Sequence, residues 1–143
     1  MLEEENKTFV RRFYEEVWGK GNLDVADELY AENFVDHNPV DPNLPPGIEG
    51  FKQIVPMFRT AFPDLQFTVE DLIADGDKVV SRLTIRATHK GEFMGILPTG
   101  KQATITAIDI VRIVDGKMVE RWGEVDMFRL MQELGGIPPT GRE

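Results

Sequence analysis

The chain has 143 residues, 41% of them hydrophobic, and carries 16 Lys and Arg against 25 Asp and Glu, a formal net charge of −9 with no cysteine. That length suits one domain, residues 1–143, which buries roughly 68–70% of its unfolded surface without covalent staples. The acidic balance repels phosphate backbones and anionic lipid, so nucleic acid and membrane surfaces are poor partners. Without cysteine there is no disulfide, thiolate nucleophile or cysteine zinc site. The acidic opening Leu2-Glu3-Glu4-Glu5 lacks the basic region of a signal peptide, and no apolar run reaches the roughly 18–20 residues that span a bilayer. A cytoplasmic location is expected.

Phe9, Val10, Phe13, Tyr14, Val17 and Trp18 repeat at helical spacing, with Arg11, Arg12, Glu15 and Glu16 on the other face, and Gly19 and Gly21 end the helix. Asn22 caps a second, shorter helix with Val25, Ala26, Leu29 and Tyr30 inward. Asn33 to Gly47 reads as a break, because Pro39, Pro42, Pro45 and Pro46 forbid continuous helix or a central strand. A third helix is predicted from about Ile48 to Ala61, with Pro56 expected to kink it or remove one hydrogen bond.

After Pro63 the period falls to about two. Phe67–Val69 and Leu72–Ile73 form a strand, and Asp75-Gly76-Asp77 a tight turn. Lys78 to His89 alternates, with Val79, Ser81, Leu83, Ile85 and Ala87 on one face. Lys90 to Lys101 is a loop, and Ala103 to Val114 a long strand. Asp115-Gly116 turns the chain into a last strand, Met118 to Phe128. Leu130 onward is expected to add a short helical turn and then fray. Helices first, then an antiparallel meander, define an α+β fold.

Two histidines stand out. A histidine titrates near neutrality, so His37 is a candidate general base, with Asp36 beside it as an orienting group, or else a residue that only shapes its loop. His89, at a strand end, reads as structural or as part of a cavity mouth. Asp109 shares strand parity with Ala103, Ile105, Ala107, Val111 and Ile113, one acid on an apolar face, where it must protonate or find a partner, or else is bonded to Tyr14 or an arginine for a structural purpose alone. Tyr14 fits the helix stripe but needs a hydroxyl partner if buried. Trp18, Phe58, Phe62 and Phe93 read as core or pocket walls. Metal spacing is absent, as are phosphate loops, dinucleotide fingerprints and serine nucleophile motifs.

The motifs FVDHNP (Phe34 to Pro39), THKGEFMGILPTGK (Thr88 to Lys101) and IVDGKMVERWGEVDMFRLMQELG (Ile113 to Gly135) resemble the SnoaL-like polyketide cyclase or ester cyclase group of the nuclear transport factor two-like superfamily. The resemblance implies a cone in which helices close over a curved, mostly antiparallel sheet around an apolar pocket. It also implies cofactor-free proton transfer on a small carbonyl compound, of the lyase or isomerase kind. Asp109 and Tyr14 resemble the acid and tyrosine that stabilise an enolate in ketosteroid isomerases, a case in which a protonated Asp donates the hydrogen bond. The catalytic aspartate of SnoaL-like cyclases falls at Gly123, which this chain lacks. Glu124 and Asp126 point to the opposite face, whereas Arg121 shares the inward parity of residue 123 and is placed to hold a carboxylate, ester or enolate.

Two main readings follow, beside a third, hydration of an epoxide or dehydration of an alcohol, that needs a water held between carboxylates. In the first, His37 takes the proton, Asp109 and Tyr14 stabilise the enolate, and Arg121, Trp18, Phe58, Phe62, Phe93 and His89 contact the substrate. The second is a binding or accessory domain without turnover. The outer sheet face, with Thr104, Thr106, Ile108 and Ile110, is rather apolar for a solvated surface, and Glu120 and Trp122 share it; a homodimer through that face is expected.

Overall fold

A computed structural model describes residues 2–137; the expected fraying beyond them lies outside the described residues. Helix α1 spans Leu2–Arg12, α2 Leu23–Leu29, α3 Ile48–Ala61 and α4 Met127–Leu134. Strands β1 (Tyr30–Asp36), β2 (Gln66–Asp75), β3 (Lys78–Thr88), β4 (Gln102–Val114) and β5 (Lys117–Val125) form one mixed sheet in the order β1-β5-β4-β3-β2. The α+β class is as expected. The sheet is not closed into a barrel, and its concave face is covered by the helices.

The predicted first helix has two parts. After Arg12 the backbone widens into a π-helical segment, Phe13–Trp18. The spacing of Phe13, Tyr14 and Val17 still buries all three. The Asn22 side chain accepts from the Val25 amide, capping α2 as expected. α3 runs through Pro56, which lies on its exposed side.

The proline-rich break is partly a strand. β1 pairs in parallel with β5, a connection that local pattern could not show, and this makes the sheet mixed rather than a pure meander. The prolines begin only after Asp36, and β1 is an edge strand, so neither restriction on proline is violated. At the other end β5 stops at Val125, short of the expected Phe128, because the Asp126 side chain accepts from the Arg129 amide and starts α4 at Met127. Gly135 closes α4 in the left-handed conformation, φ 81°.

The central antiparallel pair, β3 and β4, buries alternate residues. Val79, Ser81, Leu83, Ile85 and Ala87 of β3 face the core beside Ala103, Ile105, Ala107, Asp109, Val111 and Ile113 of β4. Phe13, Val17, Ala26, Leu29 and Val55 close over them from the helices. A register shift between Val69 and Asp71 and another between Arg112 and Ile113 interrupt the ladders.

Candidate functional site

A cavity of about 340 Å³ lies between sheet and helices, within the range of small-molecule sites. Trp18, Phe51 and Phe58 wall it from the helical segments, and Phe67, Leu83, Ile85 and Ile105 from the sheet. The proline loop after β1 forms another part of its wall through Pro39, Val40, Asp41 and Pro42. Against so much apolar surface the charged lining stands out: Asp36, Asp41, Asp109 and Arg121.

Asp109 is 7% exposed on the inward face of β4. Its Oδ2 accepts from the Tyr14 hydroxyl at 2.5 Å, and its Oδ1 from Arg121 Nη2 at 2.9 Å. Both oxygens therefore act as acceptors. The expected protonated, donating Asp109 does not match this pattern, because a guanidinium and a phenol already supply the protons. Tyr14 does not line the cavity; it holds Asp109 from behind. Burial, and then the charge of Asp109, push the Tyr14 phenol well above its ordinary range, so it stays a donor.

Arg121 projects inward from β5 next to Asp109, as its parity predicts. Its Nη1 donates to both oxygens of Asp36, at 2.9 and 3.1 Å, and to the Asn38 carbonyl at 3.0 Å. Burial would lower this guanidinium, but the charges of Asp109 and Asp36 outweigh burial and hold it above its ordinary value. Arg121 is thus not a free cation awaiting an acidic substrate group, as the sequence alone allowed. It is shared between two carboxylates.

Gly123 sits directly across from Asp109 in the β4–β5 ladder. A Cβ there would lie 2.1 Å from Asp109 Oδ1 and 2.5 Å from Arg121 Nη2. The space that a side chain at 123 would enter is filled by the Asp109–Arg121 pair.

His37 does not join this group. Its amide donates to the Arg121 carbonyl at 2.8 Å, and neighbours on an extended strand alternate, so Asp36 faces inward and His37 outward. The His37 ring stacks on Trp122 at 4.8 Å, and Nε2 pairs with Glu120 at 2.9 Å. This hydrogen bond, opposed by burial and aided by Arg112, lowers the Glu120 carboxyl below its ordinary range. The side chains of His37 and Asp109 diverge, which removes His37 from the base position proposed for it, and Asp36 orients Arg121 rather than His37.

Of the other expected contacts, Trp18, Phe58 and Phe62 reach the cavity wall. Phe93 and His89 pack behind it: both are buried, and each ring contacts Phe62. His89 Nδ1 accepts from the Thr99 amide at 3.3 Å and lies 3.0 Å from the Thr99 hydroxyl, so it pins the loop rather than facing ligand. Tyr30 was read only as helix packing. It lines the cavity, and its buried hydroxyl has no hydrogen-bond partner among the described residues. The pairing of Asp36 with Arg121 was also missed, because it depends on β1 being a strand in register with β5.

A model of the SnoaL-like polyketide cyclase family matches residues 8–134, and the chain belongs to that family. It is similar to the aklanonic acid methyl ester cyclase DnrD of Streptomyces peucetius, 29% identical over 136 residues that span 92% of this chain and 91% of that protein. The nogalonic acid methyl ester cyclase of Streptomyces nogalater is 25% identical over 116 residues, covering 80% of this chain and 87% of the relative. Among solved structures, AclR of Streptomyces galilaeus, a hydroxylase candidate, superposes with a TM-score of 0.84 at 30% identity, covering 98% of this chain and 87% of that one. No helix among the described residues is long and apolar enough to cross a membrane.

Proposed function

We propose that this protein closes a ring in a small polyketide-type ester by proton transfer in the cavity, without a cofactor, and that Asp109 is the base. The observation that carries the reading is the setting of Asp109: a carboxylate in a largely apolar cavity, oriented by Tyr14 and Arg121 and close beneath Gly123. Asp109 takes the proton α to a substrate carbonyl. The resulting enolate carbon attacks a second carbonyl of the same molecule, forming the new C–C bond. The alkoxide left on that carbon takes a proton back, so no electrons are gained or lost. Arg121, beside the carboxylate, supplies a fixed positive field as charge moves onto the substrate.

The methyl ester cyclases among its relatives support an ester substrate. Aklanonic acid methyl ester is the compound to try first. Asp109→Asn keeps the shape of the site but cannot accept the proton, and turnover is expected to fall by about 10²–10⁴-fold. Retained turnover in Asp109→Asn would overturn the assignment. Binding of the ester with no turnover by the unaltered protein would favour the accessory-domain reading instead.

A homodimer through the outer sheet face completes the proposal. Thr106, Ile108 and Ile110 offer an apolar stripe for it, with Ile108 51% exposed between the charged side chains of Arg82 and Glu124 on the neighbouring strands. Sedimentation should show a dimer that Ile108→Glu dissociates; a monomeric unaltered protein would refute it.

A further inference from the structure

Asp36 closes the inward end of β1, in register with Arg121 of β5. Both of its carboxylate oxygens lie on Arg121 Nη1, and Oδ1 also accepts from the Asn38 amide at 3.0 Å. Nη2 of the same guanidinium reaches Asp109 at 2.9 Å. The side chains of Arg121, Asp36 and Asp109 are only 14%, 21% and 10% exposed, so solvent screens this cluster weakly. One positive charge thus serves two negative ones.

That ratio matters for a base. A guanidinium devoted to Asp109 alone would favour its charged form strongly and leave it little tendency to take a proton. A second carboxylate on the far side of the guanidinium offsets part of that effect while still fixing the guanidinium's orientation.

We propose that Asp36 is a positioning residue for proton transfer, holding Arg121 against Asp109 while sharing its charge so that Asp109 remains an effective base. The proposal rests on Asp109 being the base. Asp36 acts through Arg121, since the guanidinium and the Asn38 amide engage its carboxylate. The other groups around Asp109 are Tyr14 from the π-helical segment and Ser81, its partner on β3. Tyr30 at the start of β1 and Asp41 of the proline loop line the same cavity. Asp36 is the one among them that competes directly for the guanidinium.

The test is a titration of carboxyl carbons in protein labelled with ¹³C at aspartate Cγ, with the Asp109 signal identified by its loss in Asp109→Asn. In Asp36→Asn, which keeps the shape and removes the charge, the Asp109 midpoint should move to lower pH by about one unit. The acid limb of kcat/KM on aklanonic acid methyl ester should move with it. Asp36→Glu, which restores the charge, should return both toward the unaltered protein. Asp36→Ser provides a second neutral variant should Asp36→Asn fold poorly. A purely structural Asp36 would lower stability and activity at every pH and leave the midpoint in place, and that result would overturn the proposal. If Asp109→Asn keeps its turnover, the base assignment fails by itself, while the carbon titration still decides whether Asp36 governs Asp109 through Arg121.

Discussion

Gly123 shows how one missing side chain shapes the site. With Asp109 Oδ1 2.1 Å from where its Cβ would stand, Gly123→Ala must displace the carboxylate, the guanidinium or the strand. We expect at least a tenfold loss of turnover together with about 1–3 kcal/mol of destabilisation, read by denaturant unfolding. His37 gives the opposite expectation. Its ring lies against Trp122 and Glu120 on the outer face, so His37→Ala should leave kcat within about twofold of the unaltered protein. A large loss would mean that the ring reaches the cavity during turnover. Tyr30 carries a buried hydroxyl with no partner among the described residues, and Tyr30→Phe should therefore stabilise the fold by about 1 kcal/mol. Burial also pushes the Tyr30 phenol well above its ordinary range. A raised value adds stability below the unfolded-state pKa, about 10, and that stability is lost as pH rises beyond it. The Phe variant should accordingly show a flatter loss of stability in alkali.

At the scale of elements, the connection between β3 and β4 is held by its first residue. The His89 amide donates to the Lys101 carbonyl at 2.9 Å, its own carbonyl accepts from Gly100 at 2.9 Å, and its ring accepts from Thr99. Met94 and Leu97 of this loop stay 62% and 72% exposed, so apart from Phe93, which is buried against Phe58 and Phe62, its fastening falls to His89. His89→Ala should cost about 2–4 kcal/mol, by a cavity next to Phe62 together with the lost polar contacts. Amide exchange should accelerate over residues 93–101 before it does in β3 or β4. Uniform protection across loop and strands would show that the ring is not the fastener. Sequence pattern made the loop and its histidine visible, but the partner ten residues away belongs to loop geometry. β1 was lost for a related reason. Its burial alternates irregularly and it pairs in parallel with a strand some 85 residues later, so no local signal marks it.

Over the whole molecule, charge separates two kinds of ligand. Among the described residues the cavity is lined by three carboxylates, Asp36, Asp41 and Asp109, and by the single cation Arg121, which is already shared. A methyl ester can enter without adding charge, whereas the matching free acid would add a further negative group. The acid form should bind at least about tenfold more weakly than its ester, measured by fluorescence titration at low and high salt. Equal affinities would show that Arg121 exchanges Asp36 for the ligand. The overall −9 is not the source of this selectivity, because most of the acidic residues lie outside the cavity.

Sequence alone determined the class, the helical stretches before β2, the alternating strands β3 and β4 and the inward parity of Asp109 and Arg121. Helical and two-residue periods follow directly from where side chains must go to leave water. Tertiary structure decided which of those inward groups meet. The parallel pairing of β1 with β5 turned Asp36 toward Arg121 and His37 away, and the ladder set Gly123 across from Asp109. Such choices depend on register between distant strands, where a shift of one residue reverses every side chain, and a linear pattern carries no measure of it.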